Sequence, residues 1–146
     1  MPEIPVLKNN LLRPVPIAFK ISSPIGNRML NGKPEFHKGI DFSVPIGTEI
    51  KAMEDGLIFR AGYENPNDIK QGFGLRIWQE IILENEKYYV WYGHTSELKV
   101  KEGSIVKRGD VIALSGNSGS STGPHLHVQI RKKNTNQIYG MEFKEA

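Results

Sequence analysis

The chain has 146 residues, enough for one domain around a single core of modest size. It contains no cysteine, which excludes disulfide scaffolds, thiolate zinc sites, thiol nucleophiles and iron–sulfur clusters. The formal net charge of +3 tolerates an anionic polymer as partner but lacks the dense basic stripe or reader motif of a nucleic-acid binder.

Fifteen glycines and nine prolines exceed the usual combined share of about 12 % and argue against long helices. No run approaches the ~18 apolar residues of a membrane span. The amino end, Met1 to Pro24, has no basic start followed by a continuous apolar stretch, so it does not read as a secretory signal.

Residues 1–24 carry Pro2, Pro5, Pro14, Pro16 and Pro24. Each fixes its own backbone and restricts the residue before it. An extended arm is expected here, with a strand at 17–22, ahead of a body at 25–146. Residues 24–39 read as a glycine-punctuated loop. Strands then follow at 40–43, 49–52, 56–61, 74–79, 88–92, 111–115 and 126–131, separated by Pro, Gly, Asn and Asp clusters. Residues 63–73 form a polar surface loop. No window holds a 3.6-residue apolar period. The expected fold is all-β: a single antiparallel sheet or sandwich-like domain with long loops forming a groove.

The four histidines are His37, His94, His125 and His127. His125 and His127 flank Leu126, so on a strand both imidazoles leave from one face while Leu126 and Val128 enter the core. His37 and Asp41 are four apart across Gly39, and a bend at that glycine brings both side chains to one point. Asp41 lies between Ile40 and Phe42, where a carboxylate is costly unless paired or bound to a metal. Zinc suits imidazole and carboxylate ligands, and a catalytic site uses three of them plus water. Five candidates exceed three ligands. A hydrolytic site keeps one position open and places the surplus imidazoles beside it, where they accept or donate protons near neutral pH.

These residues carry a resemblance. His37-Lys-Gly-Ile-Asp41 with Phe42-Ser-Val-Pro45, Ala52-Met-Glu-Asp-Gly56, Tyr92-Gly-His94-Thr, and Ser115-Gly-Asn-Ser-Gly119 leading to Gly123-Pro-His125-Leu-His127 are together similar to the M23 zinc metallopeptidases of the lysostaphin and LytM type. The likeness spans about residues 24–132. It implies a β-sheet fold with a groove over the metal and Zn²⁺ held by His37, Asp41 and His127. It also implies His94 and His125 as catalytic non-ligands, and hydrolysis of peptide crosslinks in bacterial peptidoglycan. Which crosslink is cut, and how the two histidines divide their roles, stay open. Asn117, Ser118 and Ser121 are read first as turn formers. Asn27 and Arg28 are groove candidates, with Arg28 either meeting a substrate carboxylate or solvated. Of Trp91 and Tyr92, one is expected in the core and the other at the groove.

The implied place of action is the cell wall or periplasm. Without a leader, a phage-encoded endolysin, a virion-borne domain or a trimmed exported protein is expected, working as a monomer and serving as an antimicrobial lysin. The short arm offers Asn9 or Asn10 as a cover for the metal. Two other readings are a non-catalytic scaffold that binds the wall or activates a wall hydrolase, and a lipoyl-type carrier using Lys51. The second leaves the histidines unexplained.

Overall fold

The computed structural model describes residues 4–30, 32–121, 123–135 and 137–144, without the side chains of Lys8, Asn9, Asn10 and Lys144. The expected cover by Asn9 or Asn10 therefore falls outside the described atoms. Among the described residues there is no helix, hence none long and apolar enough to cross a membrane.

Thirteen strands follow one another: β1 (Val6–Leu12), β2 (Ile21–Ser23), β3 (Gly26–Leu30), β4 (Lys33–His37), β5 (Ile40–Phe42), β6 (Glu49–Lys51) and β7 (Gly56–Tyr63). β8 (Leu75–Leu83), β9 (Glu86–Leu98), β10 (Ile105–Val106), β11 (Val111–Ser115), β12 (Leu126–Lys132) and β13 (Ile138–Lys144) complete the chain. The main sheet runs β1-β13-β12-β9-β8-β7-β10. β5 joins β12 beside β13, β2 joins β5, β11 joins the far end of β9, and β6 joins β11. β3 and β4 form a separate hairpin.

The all-β reading is met, with one difference: β1 lies parallel to β13, Val6 opposite Gly140 and Leu12 opposite Lys144. Hairpin connections make neighbouring strands antiparallel. These two strands are joined by nearly the whole chain, so no short turn dictates their direction. Leu7, Leu11, Leu12 and Val15 are buried, Leu11 completely, so the proline-rich start lies in the same core as the body.

Strand alternation sorts the two faces of the sheet. Tyr88, Val90 and Tyr92 of β9 and Leu126, Val128 and Ile130 of β12 enter the core. So do Ile77 and Ile81 of β8. Gln79 is buried among them with both polar atoms bonded. It donates from Nε2 to the Glu54 carbonyl (2.7 Å) and accepts from the Tyr92 hydroxyl (2.7 Å), which in turn accepts from Met53 N–H (3.0 Å). The opposite face carries His127, Gln129 and Arg131 beside Gly93, Trp91 and Tyr89. Trp91 packs with Trp78 (centroids 5.0 Å) beneath the Arg131 guanidinium (4.7 Å), and Phe59 and Tyr89 complete that aromatic cluster. Tyr92 thus takes the core, as expected for one of the pair. Trp91 joins the aromatic cluster and does not line the groove, whereas Gln129, opposite it on β12, does.

Candidate metal centre and active site

β12 is the scaffold of the site. His127 lies opposite Asp41 of β5 on one side and Gly93 of β9 on the other. This register brings together side chains far apart in sequence. His37 Nε2 lies 3.2 Å from His127 Nδ1, His127 Nδ1 lies 2.8 Å from Asp41 Oδ1, and His37 Nε2 lies 3.3 Å from Asp41 Oδ1. All three residues are buried.

The remaining ring nitrogens fix the tautomers. His37 Nδ1 faces the Pro24 carbonyl at 3.0 Å, and that oxygen can only accept, so Nδ1 carries the proton. Ser23 Oγ lies 3.2 Å from the same nitrogen. His127 Nε2 faces Gln129 Oε1 at 3.2 Å and donates to it. In the neutral rings, His37 Nε2 and His127 Nδ1 are therefore both lone pairs, aimed with Asp41 Oδ1 at one point. Three acceptors at this separation repel unless a proton or a cation lies among them.

A tetrahedral zinc with bonds of 2.0–2.1 Å sets its ligands about 3.3 Å apart. The donor types and the observed spacings fit that ion. Among the described residues no fourth donor joins the set. The set opens onto a cleft of about 1040 Å³ whose walls include Phe73, His94 and His125.

Both other histidines face this opening. His94 Nδ1 donates to the Ser118 carbonyl at 2.6 Å, and His125 Nδ1 donates to the Gly123 carbonyl at 2.8 Å. Each Nε2 is thereby left as a lone pair. His125 Nε2 is 3.8 Å from Asp41 Oδ1, and the two rings lie 4.6 Å apart. His94 occupies the left-handed backbone region at φ 62°, unusual for a residue other than glycine. Its N–H donates to the Phe73 carbonyl at 2.7 Å.

Ser118 and Ser121 do more than turn the chain. The Ser118 carbonyl orients His94, and its hydroxyl accepts from Leu75 N–H (3.1 Å) and donates to the Thr95 carbonyl (2.7 Å). Ser121 Oγ lies 3.1 Å from His125 Nδ1. This turn closes on the 64–74 loop, where Gly74 (φ 63°) meets Gly119; a Cβ on Gly74 would strike the Gly119 nitrogen. Asn117 and Asn27 are exposed. Arg28 is not merely solvated, since it pairs with Glu35 and Asp41. Lys51 ends β6 opposite Val111, away from any turn tip.

Sequence reasoning missed Phe73 and Gln129. Phe73 stacks on His127 (centroids 5.0 Å, planes 28° apart) and meets His94 edge-on (5.9 Å). No local pattern marks Phe73. Gln129 was legible as the third member of the alternation His125, His127, Gln129.

Gly39 also works differently from the bend that sequence suggests. Its φ is outside the left-handed region. Space is what the site requires: a Cβ there would press on the Val128 carbonyl and come within 2.7 Å of His127 Nε2. Gly39→Ala is expected to push β5 from β12 and Asp41 from His127. The predicted cost is about 1–3 kcal/mol of stability, together with a smaller zinc-induced rise in Tm. Thermal unfolding with and without zinc checks both.

Burial pushes the Asp41 carboxyl up, but once the His127 and His37 rings are protonated their N–H groups and charge outweigh it and hold it well below the usual carboxylate range. Burial pushes His94 down to about 4, against the opposing pull of the Ser118 carbonyl. An unfolded histidine titrates near 6.5. Between about pH 6.5 and 4 the unfolded chain therefore binds a proton that native His94 refuses, so stability falls as pH falls. Asp41 acts in the same direction at lower pH, because its low folded pKa makes protonation favour the unfolded state. Metal-free protein is expected to show a lower urea midpoint at pH 4.5 than at pH 7. An unchanged midpoint would place His94 in water.

Comparison with known proteins agrees with this geometry. The model of "Peptidase family M23" matches residues 35–138. Lysostaphin of Staphylococcus simulans is 43 % identical over 94 residues, covering 64 % of this chain and 17 % of that protein. Peptidoglycan DD-endopeptidase ShyA of Vibrio cholerae is 35 % identical over 120 residues, covering 80 % of this chain and 26 % of that protein. The chain thus spans about a quarter or less of these two curated relatives. The catalytic domain of the antimicrobial peptidase lysostaphin superimposes with TM-score 0.71 at 35 % identity, over 84 % of this chain and 89 % of that one. A zinc-containing peptidase from Vibrio cholerae does so with TM-score 0.72 at 32 % identity, over 86 % of this chain and 37 % of that one. The family match covers well over half of the sequence and contains every histidine and aspartate of the cluster, and on that ground the chain belongs to peptidase family M23.

Proposed function

We propose that this protein is a zinc-dependent endopeptidase acting on peptide crosslinks of bacterial peptidoglycan, outside the cytoplasm. One observation carries the reading. Two lone-pair nitrogens and a carboxylate oxygen, each locked from behind, converge beside a cleft that also holds two unengaged imidazole nitrogens.

His37 Nε2, Asp41 Oδ1 and His127 Nδ1 would hold the ion. When bound, it supplies positive charge that acidifies water and polarises a carbonyl. The Nε2 lone pair of His94 or of His125 accepts one proton of the attacking water. As the carbon–oxygen bond forms and the carbon–nitrogen bond breaks, a protonated imidazole returns that proton to the leaving amine. A protonated ring beside the developing oxyanion also stabilises it. Ser118, Gly123 and Ser121 keep both rings in the tautomer this requires.

Residues 25–146 form the catalytic body in this reading, with 1–24 an arm anchored in its core by Leu11 and Val15. Every group of the site comes from one chain, which supports action as a monomer. The likeness to lysostaphin supports a lytic, endolysin-like and antimicrobial use, read as loss of turbidity of intact cells. The scaffold reading is disfavoured because the three metal-holding residues and both further histidines are present and converge.

The test is digestion of purified walls carrying direct or glycine-bridged crosslinks, with new amino termini identified by mass spectrometry. New termini from either type are expected. Zinc-loaded protein that binds walls but releases none would favour the scaffold.

A further inference from the structure

We infer that Arg28 is a positioning residue that keeps Asp41 a one-oxygen ligand of the metal. The inference rests on His37, Asp41 and His127 being the metal-holding set and adds a second layer to it.

The two oxygens of Asp41 have different neighbours. Oδ1 faces His127 Nδ1 (2.8 Å) and His37 Nε2 (3.3 Å). Oδ2 accepts from Arg28 Nη1 at 3.2 Å. Arg28 reaches Asp41 from the β3–β4 hairpin, where it is paired across the strands with Glu35. Its Nε donates to Glu35 Oε2 at 2.7 Å, and Nη1 also donates to Ser23 Oγ at 3.0 Å. Ser23 Oγ in turn lies 3.2 Å from His37 Nδ1. One guanidinium is therefore tied to both early ligands, directly to Asp41 and through Ser23 to His37. Glu35 anchors it from outside.

A carboxylate that offers both oxygens to one cation must swing Oδ2 towards that cation. Here the swing breaks the Arg28 bond or draws the guanidinium towards a dication. Arg28 thereby holds the carboxylate edge-on and leaves the fourth metal position to the cleft. Groups that orient metal ligands typically change metal affinity by about 10–100-fold when removed. Holding the hairpin together is the other role open to Arg28. However, β3 and β4 already pair over five residues, from Gly26–His37 to Leu30–Lys33.

Cobalt(II) in place of zinc reports coordination number through its visible absorption, independently of hydrolysis. The wild-type protein is expected to show the strong bands of a four-coordinate ion. Arg28→Gln is expected to show the weaker bands of a five-coordinate ion and to lose zinc about 10–100-fold more readily to a competing chelator. Arg28→Lys keeps a cation near Oδ2 and should recover part of both. An unchanged spectrum in Arg28→Gln, with zinc affinity within about twofold of wild type, would overturn the inference and leave the metal site standing. Wild-type protein that takes up no cobalt, or uptake indifferent to Asp41→Ala and His127→Ala, would overturn the site itself and the inference with it.

Discussion

Asp41→Ala is expected to remove the metal and the hydrolytic activity together. Two nitrogens 3.2 Å apart would remain where three donors now converge. A dialysed sample should retain less than about a tenth of an equivalent of zinc, because catalytic sites of this kind depend on three protein ligands. Release of new termini from purified wall should fall to background. Chelation of the wild-type protein should reproduce the loss and added zinc should reverse it, whereas the variant should stay inactive. Stability gives an independent reading. Zinc at 100 times its Kd stabilises a native state that binds it by about 2.7 kcal/mol, and that increment should vanish in the variant. Stoichiometric zinc in Asp41→Ala would remove this residue from the ligand set.

His94→Ala should separate chemistry from metal binding. The ring holds its proton on Nδ1 against the Ser118 carbonyl and offers Nε2 to the cleft, yet it is not one of the three converging donors. Zinc should therefore stay near one equivalent. Loss of a positioned proton acceptor typically lowers the rate by about 10²–10⁴-fold, and kcat should fall in that range. The backbone adds a second expectation. At φ 62° an alanine suffers the same left-handed crowding as histidine, while glycine does not. His94→Gly should be equally inactive but about 1 kcal/mol more stable than His94→Ala in urea unfolding, within the 1–2 kcal/mol of left-handed strain. Wild-type rates in both variants would show that the proton is handled elsewhere.

The central strands were legible because alternation survives in them. β11 matches its expected bounds, and β12 differs by one residue. β9 was expected to stop at Tyr92. It continues to Leu98, accommodating His94 at positive φ within an irregular register opposite β8. The β3–β4 hairpin was read as a loop because most of its residues are exposed or half-buried on both faces, so no apolar alternation marks it. β1 and β13 were missed for another reason. Prolines punctuate the start of the chain, and the pairing of the two strands exists only between its ends.

The local sequence determined the chemistry of this protein: no thiols, a His37–Asp41 spacing of four, and two histidines leaving one face of β12. These depend on composition and on the two-residue repeat of a strand, which short segments carry by themselves. Tertiary structure alone decided that His37, Asp41 and His127 converge on one point, why residue 39 must lack a side chain, and what Arg28, Phe73 and Ser118 touch. His37 and His127 are 90 residues apart yet meet at 3.2 Å, and the ring proton of His37 is held by the Pro24 carbonyl brought up from behind. Such a proton position is a property of packed neighbours and has no counterpart in the order of residues along the chain.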